Sequence, residues 1–124
     1  SEAQSRRNIA ESELRAVRLQ ARERVRSTFL QIQASEAQTE AALTLVESTA
    51  LAAEAMQQGF SLGTVTSVDV LNSLRDQFAA ERELQRTRYE HIRYLLLLKR
   101  ETGTLSAEDM LEVGNWLTPQ QPSQ

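Results

Sequence analysis

His91 is the only histidine of the chain, and cysteine is absent. Metal centres assemble three or four His, Cys or carboxylate ligands. A lone histidine between Glu90 and Arg93, with no second His or Cys to complete a site, reads as an interhelical or solvated side chain. Carboxylates are plentiful, but they recur with arginine at helical spacing, as in Glu11 with Arg15 and Glu83 with Arg86. Such pairs are surface ion pairs worth about 0.3–0.5 kcal/mol each. No Gly-rich phosphate loop, nucleophile elbow or metal-ligand cluster is present, so the sequence argues against an enzyme and implies no cofactor. One carboxylate stands apart. Asp69 follows a turn and opens a helix, where the positive field of the helix N-terminus suits it. If copies of this segment met around an axis, the same carboxylates would form a cation-selective ring at a constriction.

The element that must position Asp69 is a turn. Gly59-Phe60-Ser61-Leu62-Gly63-Thr64 is the only Gly-x-x-x-Gly segment, and it interrupts two long stretches rich in Ala, Leu, Glu, Gln and Arg, residues that lose little by being helical. Two such helices joined by a few residues must run antiparallel to bury their apolar stripes on each other. The expected architecture is all-α: a long antiparallel coiled-coil hairpin whose first helix covers 1–58, with the tip at 59–66 and the return helix over 67–102. A helix of some 50 residues would extend about 75–80 Å, a length that implies a coiled coil or part of an assembly.

Within the first arm Ala10, Leu14, Val17, Ala21, Val25, Thr28 and Ile32 step by three or four, the narrow seam of a coiled coil. The stripe is expected to continue through Ala34, Ala37, Ala41, Leu45, Ser48, Ala52 and Ala55. Leu19, Leu30, Leu43 and Leu51 lie off it and mark a second contact face, as in a closed ring of helices. On the return helix the leading row is Leu71, Leu74, Phe78, Gln85, Tyr89, Ile92, Leu96 and Lys99, with Ala80, Leu84, Thr87, His91 and Leu95 beside it. Gly59 is expected to end the first helix in the left-handed conformation, with Phe60 and Leu62 closing over it. Thr66 or Ser67 caps the second, and Asp69 completes a capping box with Thr66. Gly103 stops the return helix. Ser106-Ala107-Glu108-Asp109 then starts a short amphipathic helix carrying Met110, Leu111, Val113, Trp116 and Leu117, giving a segment at 103–118 that folds back on the bundle and a disordered tail at 119–124.

The stock of large side chains is thin, with three Phe, two Tyr and one Trp in 124 residues, so Ala-rich seams must carry the packing. Net charge is −3. Arg6, Arg7, Arg15, Arg18, Arg22, Arg24 and Arg26 gather in the first quarter but interleave with Glu11, Glu13 and Glu23, with no aromatic among them, which is a solvated helix face rather than a nucleic-acid patch. The longest apolar run, Leu95–Leu98, is far below the roughly 20 residues a membrane-spanning helix needs. The chain opens at Ser1 directly in a helical pattern, as expected of a piece of something larger. The first arm is longer than the second, so its beginning lacks a partner in the hairpin.

The run Gly59-Phe60-Ser61-Leu62-Gly63-Thr64 to Val68-Asp69-Val70-Leu71-Asn72, followed by Glu83-Leu84, Arg88-Tyr89, Tyr94-Leu95, Leu98-Lys99 and Gly103-Thr104-Leu105-Ser106-Ala107-Glu108-Asp109, closely resembles the C-terminal half of TolC-type outer membrane factors. The resemblance implies the second repeat's helical hairpin, plus a short equatorial helix, of a trimeric channel-tunnel in Gram-negative bacteria. Such a protein touches the membrane through barrel strands this chain lacks and stands in the periplasm through its α-helical barrel. By the same resemblance, Leu62, Gly63 and Thr64 are the tip that docks a periplasmic adaptor (membrane fusion) protein bound to an inner membrane pump, and Asp69 is the carboxylate ring of the entrance constriction. Two departures matter. Phe60 and Val65 stand where the best-known member has a Tyr and an Arg that latch the closed entrance, and Asn72 replaces a second acidic ring position. The implied function is a conduit for drug efflux or type I protein secretion. The rival expectation is a self-contained coiled-coil adaptor or scaffold binding a partner through its tip. Either way, exposed apolar faces predict self-association of the chain by itself.

Overall fold

The computed structural model describes residues 1–103 and 107–117, without the side chains of Asp109, Val113, Trp116 and Leu117. The expected cap at Ser106 and the tail at 119–124 lie outside the described residues. Three helices follow in order, α1 (Glu2–Ser61), α2 (Ser67–Thr102) and α3 (Ala107–Leu117), and no strand occurs among the described residues. The protein is an all-α helical hairpin with a short third helix. Neither α1 before Gly59 nor α2 holds a Gly or Pro, so nothing in them breaks the hydrogen-bond ladder. Asp69 in the first turn of α2 and Lys99 and Arg100 in its last oppose the helix dipole with the right signs.

The chain divides into two compact units, Ile32–Arg93 and Ser1–Gln31 with Tyr94–Gln124. In the first, α1 turns inward Ile32, Ser35, Ala42 and Ala53, all at most 5% exposed, with half-buried Thr39, Val46, Thr49 and Met56 between them. The steps alternate between three and four without interruption, a strict heptad seam that winds into a left-handed supercoil. On α2 the matching row is half-buried Val70, Ser73 and Gln77, buried Ala80, Leu84 and Thr87, and half-buried His91.

This seam corrects the one expected from the sequence in two places. Past Ile32 the path steps to Ser35 rather than Ala34, and Ala34, Ala37, Ala41, Leu45, Ser48, Ala52 and Ala55 are all exposed. On α2 the row expected to lead faces outward, with Leu71 57%, Phe78 55%, Tyr89 67% and Ile92 56% exposed. The row beside it, Ala80, Leu84, Thr87 and His91, forms the seam. The reason is size. Ala, Ser and Thr let two helix backbones approach closely, whereas a seam of Leu, Phe and Tyr would hold them apart. Leu30, Leu43 and Leu51, expected on a second face of α1, lie off the seam and are exposed.

The other unit packs Ala21, Val25 and Thr28 of α1, none above 7% exposed, with half-buried Tyr94, Leu97, Leu98 and Glu101 of α2. Arg24 reaches Glu101 at 3.8 Å, and Arg22 ties α3 to α1 through Glu112 at 3.2 Å. Residues 1–20 are exposed throughout. Ile9, Leu14, Val17 and Leu19 are each more than half open, so none of residues 1–20 is buried among the described residues.

Candidate functional site

The site is the hairpin tip, and its conformation follows from two glycines and one capping pair. α1 runs through Gly59 and Phe60 to Ser61, past the end expected at 58. The left-handed residue is Gly63, with φ +78° and no other residue of positive φ among those described. This corrects the assignment of that role to Gly59. The N–H of Gly63 donates to the Phe60 carbonyl at 3.1 Å, and that of Thr64 donates to the Gly59 carbonyl at 2.8 Å. These are the two bonds of a Schellman cap, which satisfies the last carbonyls of a helix by sending one residue through the left-handed region. The Thr64 hydroxyl adds a third bond to the same Gly59 carbonyl at 3.0 Å.

Gly59 is needed for a different reason. A Cβ there would lie 3.1 Å from Thr64 Oγ1 and 3.2 Å from both Val65 methyls, so the absent side chain is what lets the returning chain fold over the helix end. Phe60 and Leu62 do not close over that end as expected; they are 53% and 79% exposed. Around Gly63 a Cβ would meet nothing within 4 Å. Leu62, Gly63 and Thr64 thus form an open surface held by backbone bonds, with a bulky apolar side chain presented beside a bare stretch of main chain.

Thr66 and Asp69 close the tip on the α2 side. The Asp69 N–H donates to Thr66 Oγ1 at 3.2 Å, and Asp69 Oδ2 accepts from the Thr66 N–H and hydroxyl at 3.0 Å each. This is the reciprocal capping box expected from the spacing, with Thr66 rather than Ser67 as the cap. The Thr66 backbone N–H and then its hydroxyl hold the Asp69 carboxyl below the usual carboxylate range, so it is ionised at neutral pH. Asp69 is exposed, and its charge stands next to the open surface. Phe60 and Val65, where the resemblance would look for a polar latch, bring an exposed ring and a half-buried methyl pair to the tip.

Elsewhere His91 is half-buried in the seam, its Nδ1 2.8 Å from Ser35 Oγ, as the interhelical reading anticipated. The Ser35 partner was not visible from the sequence; only heptad arithmetic from the observed seam identifies it. Glu83 pairs with Arg86 at 2.6 Å as its spacing required.

A family model described as outer membrane efflux protein matches residues 1–104. The outer membrane protein TolC of Escherichia coli (strain K12) is 37% identical over 94 residues, 76% of this chain and 19% of that protein. TolC of Vibrio cholerae is 42% identical over 62 residues, 50% of this chain and 14% of the relative. TolC of Salmonella enteritidis is 36% identical over 93 residues, 75% of this chain and 19% of the relative. The chain thus spans about a fifth or less of the length of these curated relatives.

Proposed function

Because the chain belongs to the outer membrane efflux protein family, a family of channel proteins rather than enzymes, we propose that it is the periplasmic helical hairpin and adjoining equatorial segment of a trimeric export channel. In this reading the hairpins of three protomers line an α-helical barrel, and the tip docks a periplasmic adaptor served by an inner membrane pump. The channel itself is a passive conduit for drugs or secreted polypeptides. The observation that carries the reading is the tip. Leu62, Gly63 and Thr64 offer an exposed side chain and uncovered backbone on a frame fixed by the Schellman cap and the capping box. A partner helix can approach such a surface closely because Gly63 has no Cβ. The outward rows on both helices fit the same reading, since a helix with two apolar faces has neighbours on both sides.

Gly63→Leu in the full-length channel tests the docking role: it should abolish cross-linking to the adaptor and reduce export while leaving the trimer assembled. Normal cross-linking and export would sink it. Asp69 is proposed as the entrance ring. Three ionised carboxylates at a narrow aperture focus a negative potential that favours cations. Asp69→Asn keeps the shape and removes the charge, so cation preference and block by multivalent cations should both fall in single-channel recordings of the trimer. Unchanged selectivity and block would return Asp69 to helix capping alone.

A further inference from the structure

Ser35 and His91 meet across the hairpin seam, and the geometry settles which of them carries the shared proton. Ser35 is 2% exposed, and its Oγ lies 2.8 Å from His91 Nδ1 and 2.8 Å from the Ile32 carbonyl oxygen. A hydroxyl owns one proton and a carbonyl none. The proton must therefore sit between Oγ and the Ile32 oxygen, because turning it toward the ring would leave two acceptor oxygens facing each other at 2.8 Å. Nδ1 is then the donor to Ser35.

We infer that His91 is held as the Nδ1–H tautomer and acts as a positioning clasp that fixes the rotation of α2 against α1 at the end of the Ile32–Arg93 unit away from the tip. The register supports this. Positions 35 and 91 sum to 126, and the two heptad rows then place 39 opposite 87, 42 opposite 84, 46 opposite 80, 49 opposite 77 and 53 opposite 73. Half of 126 is 63, the left-handed glycine. The turn and the clasp thus specify one register from two ends, about 42 Å apart at 1.5 Å for each of the roughly 28 residue steps between them. Between them the seam is small and largely self-satisfied. Thr39, Thr49, Ser73 and Thr87 each bond a carbonyl of their own helix, so none of these hydroxyl bonds reaches across. Such a surface packs closely but resists twisting weakly, whereas a directional buried bond selects one alignment.

Glu36 and Glu40 of α1 line an open groove with His91, and next to His91 in the chain Glu90 pairs with Arg93 at 2.8 Å. In the Nε2–H tautomer Nδ1 would become an acceptor, and Ser35 could bond it only by turning its proton away from the Ile32 carbonyl.

Long-range imidazole proton–nitrogen spectra of the chain, recorded with the ring neutral, test the assignment directly. Nδ1 should carry the proton, and Ser35→Ala should shift the ring toward the Nε2–H form. An Nε2–H ring in the unsubstituted chain would overturn the inference whatever any variant does. The clasp itself is read by disulfide formation in two cysteine pairs, the opposed Thr39→Cys with Thr87→Cys and the offset Thr39→Cys with Leu84→Cys. His91→Phe keeps the bulk and removes the donor, so the preference for the opposed pair should fall about threefold to tenfold, the population shift that a typical net hydrogen bond supports. An unchanged preference in a His91→Phe chain of parental helicity would refute the positioning role.

Discussion

Gly63→Ala isolates a backbone cost, because the structure removes every other contribution. At φ +78° an L-residue brings its Cβ against its own carbonyl, while a Cβ built on Gly63 finds nothing within 4 Å. No clash and no lost contact enters, so the penalty is the left-handed strain of a non-glycine residue, about 1–2 kcal/mol. The chain cannot escape it cheaply. Leaving the left-handed region would break the Gly63 and Thr64 N–H bonds to Phe60 and Gly59, each worth about 0.5–1.5 kcal/mol net. With an unfolding entropy of about 2.1 cal/mol/K per residue over 124 residues, 1 kcal/mol moves the midpoint by about 4 °C. Gly63→Ala should therefore lower Tm by about 4–8 °C. Gly63→Asn, whose short polar side chain tolerates this conformation, should lose less than half as much. Thermal and urea unfolding followed by far-ultraviolet circular dichroism measures both. If Gly63→Ala melts with the parent, or if Ala and Asn cost the same, the strain argument is wrong.

Gly59→Ala should fail to yield the roughly 1 kcal/mol that Gly to Ala gives inside a helix, because the new methyl meets Thr64 and Val65 at 3.1–3.2 Å. In a Val65→Ala background part of the gain should return, as a coupling of at least about 0.5 kcal/mol in a double-mutant cycle. Val25→Ala empties a fully buried site and should cost about 1.5–3 kcal/mol from two lost methyls plus the cavity. Leu51→Ala, at a residue 68% exposed, should stay within about 0.5 kcal/mol; equal costs in urea melts would mean the seam is misassigned. On acidification, Asp69 and Glu83 are both held below their ordinary values, by Thr66 and Arg86 respectively. A depressed carboxyl contributes stability that is present above its unfolded pKa, near 4, and lost as pH falls through the folded value. The urea midpoint should therefore fall below about pH 4, and Asp69→Asn with Glu83→Gln should flatten that fall. Finally, the exposed rows on α1 and α2 should make the chain self-associate; sedimentation showing a stable, fully helical monomer at high micromolar concentration would count against it.

By itself the sequence determined the two long helices, their antiparallel turn and the start of the second helix, though not the residue at which the first one ends. Uninterrupted helix formers before Gly59 and from Val68 to Thr102 allow only helices, and Thr66 with Asp69 is a start signal whose two bonds are local. The turn between them makes the pair antiparallel without reference to anything distant. The position of the tip was legible for the same reason, since every bond holding it spans at most five residues, whereas Leu62, Gly63 and Thr64 were singled out by the family resemblance and not by local pattern. Which face of each helix turns inward was legible only from Ala21 to Ile32; past Ile32 on α1, and between the two rows of α2, it was not local and could not be read. Ser35, Ala42 and Ala53 differ little in size or polarity from exposed Ala34, Ala41 and Ala52. On α2 the larger apolar side chains, which a search for a hydrophobic stripe selects, point away. The tertiary structure decided it, because closeness between two backbones depends on what both helices bring to the same level. Ala and hydroxyl residues opposite each other permit an approach that either helix considered alone does not reveal. The choice between Gly59 and Gly63 had the same origin. Both glycines suit a helix end, and only the folded-back Thr64 and Val65, packed where a Cβ of residue 59 would be, leave Gly63 to take the left-handed turn.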